Sequence, residues 1–594
     1  MLKMDWTSLY ALFICVSYVS STKLHEAARV KVTHAGISRF SFENSDNNLV
    51  KLVSTSGNNI IWVGGSTVLY SIRPTQSFKP HQVNLSLCED KGKDSHNSLC
   101  LRISLLREGV DGNLFICRSH DGNTECCDLG SDYSPIKCFT SEHYEPDINE
   151  PSLLVNNMLY FIKPEKGLYR INKNDKNDNI WPQPSQTEQT YLKLIAGKDE
   201  DKVYSFFAEK YKSKDGEKWI ARVSQSCMND KGGNKNLLQS SWTSTIYNRL
   251  FCGKEYEFTQ MIDVATIETD NDIKIYALFK NYWNMSAVCV YSLTEISRIF
   301  NSSEFNATNV PPTHRPGTCV PDSTRLSTEV LGFMKDRPEM KDWVKPENGP
   351  LLFRHHHYTH IQVDRVRDHT VLLLSLESGG VHKVREDPVF VIAEYLPFPR
   401  RTHITSMLLD ASEKRLYVSS SNEVVQIDLQ RCDDYGDDCN QCTLSRDPHC
   451  IWNGLQCTST ATSQVQDIIS CEKPQASPSK TENRLKTPEL LHVPPSSKHF
   501  LLCPVTSLHA TYHWIHDETP EDCVQSELGC FYLIYSMNTS YEGDYRCVSS
   551  EEGYNRIVSQ YQLSMSRSEA IRLSPALLLL LTASHVTLLL ILTF

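Results

Sequence analysis

Histidine and cysteine are the residue types whose spacing in this sequence could do chemistry. His355, His356 and His357 stand together with His360 close behind, and imidazoles at such short spacing can chelate zinc. On a strand His355 and His357 share a face, but no carboxylate or thiolate at a fitting distance completes a tetrahedral set. A solvated or edge-strand cluster is the expectation. Cys439 and Cys442 with Cys450 and Cys457 would make a zinc knuckle in a reducing compartment and disulfides in an oxidising one. No Gly-rich phosphate loop, nucleophile elbow or His-Glu-x-x-His run is present. Ser, His and Asp are plentiful, yet no local motif gathers them. The expectation is a protein without catalytic residues, metal or cofactor, whose function lies in its surfaces.

The compartment decides between the two cysteine readings. Residues 1–21 have the parts of a signal peptide: Lys3, the apolar run Leu9 to Val19, then the small residues Ser20 and Ser21. That run is too short to span a bilayer. A second apolar run extends from Pro575 to Phe594, with no Lys or Arg after Arg572. The positive cytoplasmic flank of a membrane span is therefore missing. Small residues, a polar spacer and an apolar tail make residues 564–594 read as a glycolipid (GPI) attachment signal. Ser566 is the expected attachment residue, with Ser564 and Ser568 as alternatives. Of 21 cysteines, Cys15 leaves with the signal peptide and 20 remain, an even number that fits full pairing. Acceptor sequons at Asn84, Asn284, Asn301, Asn306 and Asn538 fit an extracellular surface. The net charge of −11 is spread along the chain, leaving no basic face for nucleic acid.

The elements that position these residues read as strands. Seven segments stand out between about residue 25 and residue 430: Ile60–Ile72, Asn113–Cys117, Met158–Ile171, Val203–Val223, Ile273–Tyr291, Val371–Val384 and Leu416–Leu429. Several repeat one form, a β-branched or aromatic strand, a turn with Gly or Ser/Asn, and a second strand. Repeated strand pairs without interleaved helices predict a large all-β array. A β-propeller is its natural closure, at about 57 residues per blade. From Cys432 to Cys471 six cysteines follow with spacing C-x6-C-x2-C-x7-C-x6-C-x13-C, a module too small to hold together by its core alone. A Ser/Pro/Lys-rich linker is expected at 473–499. Cys503, Trp514 and Cys547, with Tyr545 two residues before the last, give the order of an immunoglobulin sandwich, expected over 500–563. Cys523 and Cys530 are expected to bridge a local loop.

These segments carry a family resemblance. Cys432 to Trp452, with Arg446-Asp447-Pro448-His449-Cys450-Ile451-Trp452, resembles the PSI module that follows a sema domain. Ala221-Arg222-Val223, Gly232-Gly233, Trp242-Thr243 and Arg249-Leu250-Phe251-Cys252 resemble the central sema signature. Arg315-Pro316-Gly317-Thr318-Cys319 and Gly380-Val381-His382-Lys383-Val384 resemble two further sema motifs. The sequence is thus similar to the semaphorin family, and its GPI-type tail is similar to class 7. The resemblance implies a seven-bladed propeller at 22–430, a PSI module at 431–472 and an Ig-like domain. It implies a homodimer that binds plexins of the C class and β1 integrins, with roles in axon guidance and immune-cell activation. It implies the bridges Cys88–Cys100, Cys117–Cys126, Cys227–Cys319, Cys252–Cys289 and Cys432–Cys450. Cys503–Cys547 follows from the Ig pattern, and Cys127–Cys138 is the remaining pair. Cys439, Cys442, Cys457 and Cys471 stay unassigned.

One departure bears on partners. Where class 7 carries an Arg-Gly-Asp integrin motif, this sequence has Met228, Asn229 and Asp230. Only the carboxylate that would meet an integrin's metal ion survives. The expectation is that plexin recognition persists, while integrin binding is weakened or uses other contacts. An integrin- or matrix-binding adhesion protein is the alternative reading.

Overall fold

The computed structural model describes residues 27–566 apart from 43–49, 58, 74–79, 86–87, 90–98, 131, 143, 176, 186, 200, 214–215, 254–256, 437, 460–486 and 527–528. The signal segment, Cys471, Ser568 and the C-terminal apolar run lie outside the described residues. The chain divides into two compact units, residues 1–470 and 471–594.

In the first unit the seven apolar segments fall on seven successive sheets, in six of them on middle strands, for example Ile60–Gly64 with Leu69–Ile72, and His369–Leu376 with Val381–Arg385. In the three-stranded third sheet they are the middle strand Met158–Lys163 and the edge Gly167–Asn172. Middle strands are covered on both faces, so they read as near-continuous apolar runs rather than alternations. Val371, Leu372, Leu373 and Leu374 are all buried. The first strands of the sheets adjoin in order: Lys51–Thr55, Arg102–Glu108, Ser152–Val155, Glu188–Ala196, Gln260–Glu268, Tyr358–Val366 and Ser406–Asp410, which meets Lys51–Thr55 again. Seven sheets closed into a ring make a β-propeller, which leaves only short edges open. The N-terminal segment locks the ring. Ser38–Ser41 pairs antiparallel with Glu423–Asp428 in the last blade, and Val30–Val32 lies parallel on Phe390–Tyr395 in the sixth.

The fifth blade departs from the helix-free expectation. Between its strands Ser286–Ser292 and Leu351–Phe353 lie two helices, α1 (Leu293–Ser302) and α2 (Thr328–Lys335). The Ser292 side chain accepts from the Glu295 N–H, and that of Ser327 from the Val330 N–H, so each helix starts on a serine cap. Helix α1 buries Leu293, Ile296, Ile299 and Phe300, a 3–4 spacing along one face. Helices this short give too few turns for their period to stand out in the sequence.

The cysteine-rich module packs onto the propeller. A short helix α3 (Cys439–Leu444) and the hairpin Cys450–Trp452 with Cys457–Ser459 are held by the bridges Cys432–Cys450 and Cys442–Cys457. Cys439 is also disulfide-bonded. Cys432, Tyr435, Cys442 and Cys457 share one apolar cluster with Tyr395, Phe398 and Leu429 of the propeller. Beside it lies a polar core. Lys383, 0% exposed, donates to the Asp447 carboxylate (2.6 Å) and to the Leu429 carbonyl (2.7 Å). The Tyr435 hydroxyl donates to the same carboxylate (2.9 Å). His449 spans from Asp447 (3.3 Å) to Asp364 (2.9 Å), and Lys414 donates to Asp364 (2.7 and 2.9 Å). Within this network two lysines face two carboxylates, and the buried Arg29 donates to Gln441 of the module nearby (2.9 Å). Burial alone would push the Asp447 carboxyl up, but Lys383 and His449 outweigh it and hold it well below the usual carboxylate range.

The second unit is an immunoglobulin-like sandwich. One sheet runs in the order Glu489–Val493, Tyr554–Met565, Gly543–Glu551, Thr511–His516, Thr519–Glu521, and the other in the order His499–Cys503, Gly529–Ile534, Val524–Ser526. The bridge Cys503–Cys547 joins the sheets over the buried Trp514. Glu489–Val493 corrects the linker reading. It falls inside the Pro/Ser-rich stretch 473–499, yet it pairs in parallel with Tyr561 to Met565, and Val493 enters the core. The Tyr545 hydroxyl donates to the Tyr541 carbonyl (3.1 Å), and the buried ring stacks on His516 at 4.1 Å. Tyr545→Phe keeps the ring and removes that bond, so it is expected to destabilise the sandwich by about 1 kcal/mol. Denaturant unfolding of the ectodomain, followed at Trp514, checks this.

Candidate receptor-binding surface

The segment Met228–Asp230 leaves the strand Gly216–Cys227 of the fourth blade at its end. The bridge Cys227–Cys319 ties that point to the helical insertion of the fifth blade, residues 293–350. Asp230 turns inward and is 1% exposed. Its carboxylate accepts from the N–H groups of Gly232 (2.8 Å), Thr243 (2.8 Å) and Ser244 (2.9 Å). It also accepts from the hydroxyls of Thr243 (3.0 Å), Ser244 (2.6 Å) and Ser323 (3.2 Å). Six donors saturate a group that could otherwise bind a metal ion. From the other side the buried Arg170 of the third blade donates to the carbonyls of Met228 (2.7 Å) and Asp230 (2.5 Å). Met228 packs against the core beside Trp242, and exposed Asn229 donates to the Val320 carbonyl (3.0 Å). The integrin reading of this tripeptide is therefore corrected. Asp230 is a structural carboxylate that fastens the fourth blade to the insertion, and an integrin's ion cannot reach it.

The blade itself is stiffened by buried charge. Arg222 pairs with Glu209 (2.8 Å) and Glu339 (2.9 Å), and Glu339 also meets Arg249. Burial works against the Arg222 charge, but Glu339 and Glu209 outweigh it and raise its pKa above the ordinary value. The blade thus holds its outward side chains on a firm base. Its exposed rim includes Lys231, Lys235, Asn236 and Gln239.

The four histidines do not converge on a metal. His356 meets the ring of His382 edge-on at 4.7 Å, and His357 contacts the Asn284 carbonyl. His360 faces Ser375 (2.9 Å) and Thr359 (3.1 Å), while His355 is exposed. Among the described residues Glu125, Cys127 and Cys138 lie close enough to share an ion, but the two cysteines form one disulfide. Among the described residues the structure also forms the bridges Cys117–Cys126, Cys252–Cys289 and Cys523–Cys530. The backbone ladder sets Cys88 opposite Cys100. All five sequon asparagines, Asn84, Asn284, Asn301, Asn306 and Asn538, are exposed.

His382, part of the motif Gly380-Val381-His382-Lys383-Val384, has a physical role in the fold. It is 2% exposed, with Nδ1 at 2.8 Å from the Tyr358 hydroxyl. Burial, helped by His356 and Lys31, pushes its pKa down to about 3. Between that value and about 6.5, the ordinary pKa, the unfolded chain takes up a proton that the fold refuses. Stability therefore falls as pH drops through this window. His382→Gln should reduce the loss of unfolding free energy between pH 7 and pH 5 by about 2 kcal/mol. Paired denaturation curves at the two pH values check it.

Residues 259–411 match the Sema domain family, and residues 486–574 match the semaphorin-3/4/7A immunoglobulin-like domain. The first match lies on the propeller and the second on the sandwich. These matches identify a Sema domain and a semaphorin-type immunoglobulin-like domain in one chain. The chain is 28% identical over 578 residues to semaphorin-7A of Homo sapiens, spanning 89% of this chain and 85% of that protein. Semaphorin-7A of Mus musculus is 28% identical over 552 residues, 85% of this chain and 82% of that protein. Semaphorin-4B of Homo sapiens is 26% identical over 88% of this chain and 73% of that protein. Among solved structures, Drosophila Semaphorin 2a superposes with a TM-score of 0.67 at 18% identity, covering 91% of this chain and 99% of that one. A chain of Drosophila Plexin A in complex with Semaphorin 1b superposes at 0.60 with 22% identity, covering 74% of this chain and 95% of that one. Such identities speak for the fold, a sema propeller followed by smaller modules. Semaphorins are signalling ligands rather than enzymes, and it is to them that the chain is similar.

Proposed function

We propose that this protein is a class 7 semaphorin, a ligand held on the outer leaflet of the plasma membrane by a GPI anchor. Its homodimeric propeller binds and gathers plexins of the C class on facing cells, and so controls axon growth, cell migration and immune-cell activation. The observation that carries the reading is the likeness to semaphorin-7A across 89% of the chain. Two-fold presentation raises avidity without new contacts. The anchor reading favours Ser566 over Ser564. Ser564 lies within the last strand, with its hydroxyl 2.7 Å from His492, whereas Ser566 follows that strand, its N–H donating to the Val493 carbonyl (2.9 Å). An anchor there would seat the sandwich close to the leaflet.

β1 integrin enters this function through contacts other than Asp230, or not at all. The test is surface binding of the ectodomain, residues 22–566, to plexin-C and β1-integrin ectodomains side by side. Saturable plexin binding with little integrin binding is expected. Strong integrin binding without plexin binding would replace the reading with an adhesion protein. Release of the full-length protein from cells by a phosphatidylinositol-specific phospholipase tests the anchor, and retention on the cell would refute it.

A further inference from the structure

The middle hairpin of the fifth blade ends in two aromatic side chains that the protein leaves bare. Tyr282 is 93% exposed and Trp283 69% exposed, and among the described residues no Tyr, Trp or Phe is more so. They meet edge-on, with ring centroids 6.4 Å apart. Bare aromatic pairs are unusual on a protein surface, because rings carry more apolar area than other side chains and mark contact sites when unburied.

The turn that holds them is well fixed. The buried Asn281 side chain accepts from the N–H groups of Trp283 (3.0 Å) and Met285 (2.9 Å). The Asn284 N–H donates to the Asn281 carbonyl (3.1 Å), and the Asn281 N–H to that of Met285 (3.2 Å). Asn284 takes a left-handed backbone, φ +60°, at the turn, a conformation asparagine tolerates better than most residues. It is exposed, and Asn284-Met285-Ser286 is an acceptor sequon. Tyr282 and Trp283 thus stand two residues and one residue before the acceptor, on the same turn.

We propose that Asn284 carries an N-linked glycan and that Tyr282 and Trp283 are the platform on which its first sugars stack. A pyranose ring presents a face of C–H bonds, and the negative π-face of an aromatic ring attracts them. Because the sugar is tethered to the same turn, its effective concentration at the rings is high and stacking carries little entropic cost. The occupant of the bare rings is therefore the chain's own modification. Ser286, the sequon hydroxyl, is buried in the fold and accepts from the Tyr358 N–H (3.0 Å). The sugar must then be attached before this blade closes, and stacking favours the hairpin once it does.

The inference rests on the secretory reading, and the other four sequons separate the two. The full chain is expressed in animal cells, and occupancy at all five asparagines is read by peptide mass spectrometry. Occupancy at Asn284 is expected. Occupancy elsewhere with Asn284 bare would overturn this proposal alone, and no occupancy at any of the five would overturn both. The second readout is hydrogen exchange in the peptide spanning 281–285, before and after enzymatic removal of the glycan. Removal should speed exchange at least about twofold in the native protein and leave it unchanged in Tyr282→Ala/Trp283→Ala, since local opening sets the rate. An equal effect of removal in both proteins, or none in either, would refute the platform. So would concentration-dependent association of the glycosylated protein that the double substitution abolishes, because the rings would then cover a partner.

Discussion

Asp447→Ala is expected to destabilise the propeller unit by about 3–5 kcal/mol, since it leaves a buried cation without its counter-charge. Lys383 is 0% exposed and finds its carboxylate at 2.6 Å. Without it the ammonium keeps the Leu429 carbonyl, and the Tyr435 hydroxyl loses its acceptor. The loss should appear as a lower denaturant midpoint for the first unit, with the sandwich unchanged. Lys383→Met together with Asp447→Leu removes both charges and should recover much of the stability, because an apolar pair avoids the desolvation that a buried ion pair must overcome. If the double variant is as unstable as the single, packing and not charge holds the junction. The pH dependence has a fixed sign. A carboxyl held below its unfolded value contributes stability that is present above about pH 4 and lost as pH falls below it. The single and double variants should both lack this contribution.

Asp230→Ala should be nearly as damaging, and for folding rather than for binding. Six donors converge on this carboxylate. Each buried donor left without a partner costs about 1–3 kcal/mol, although hydroxyls can turn to find others. A loss of about 3 kcal/mol or more follows, with lower secreted yield and a lower melting temperature. Per folded molecule, binding to a β1-integrin ectodomain should be unchanged. A variant that folds as well as the native protein but binds integrin more weakly would restore the receptor role that burial excludes.

These two carboxylates mark where the sequence was legible and where it was not. The seven blade hairpins are visible as apolar runs because strands covered on both faces must be apolar throughout, as Val371 to Leu374 are. The first strands, such as Glu188–Ala196, border the ring's axis with mixed burial and gave no such signal. Asp230 reads locally as a surface motif residue because three donors that bury it, on Thr243, Ser244 and Ser323, lie 13, 14 and 93 residues away. Asp447 belongs to a recognisable segment of the cysteine-rich module, but its partner Lys383 lies 64 residues upstream in the sixth blade. Glu489–Val493 was hidden for a different reason. Its strand is only five residues long inside Pro- and Ser-rich sequence, and it becomes a strand because the last strand offers it an edge. Arg170, whose guanidinium anchors the Met228–Asp230 turn from the third blade, left no sequence signal at all.

The most direct test of the central claim presents the dimerised ectodomain, residues 22–566, to cells that display a plexin of the C class and to matched cells that lack it. Saturable binding and a change of cell shape confined to the plexin-bearing cells is the predicted result. Equal binding to both kinds of cell, or none to the plexin-bearing ones, would contradict it.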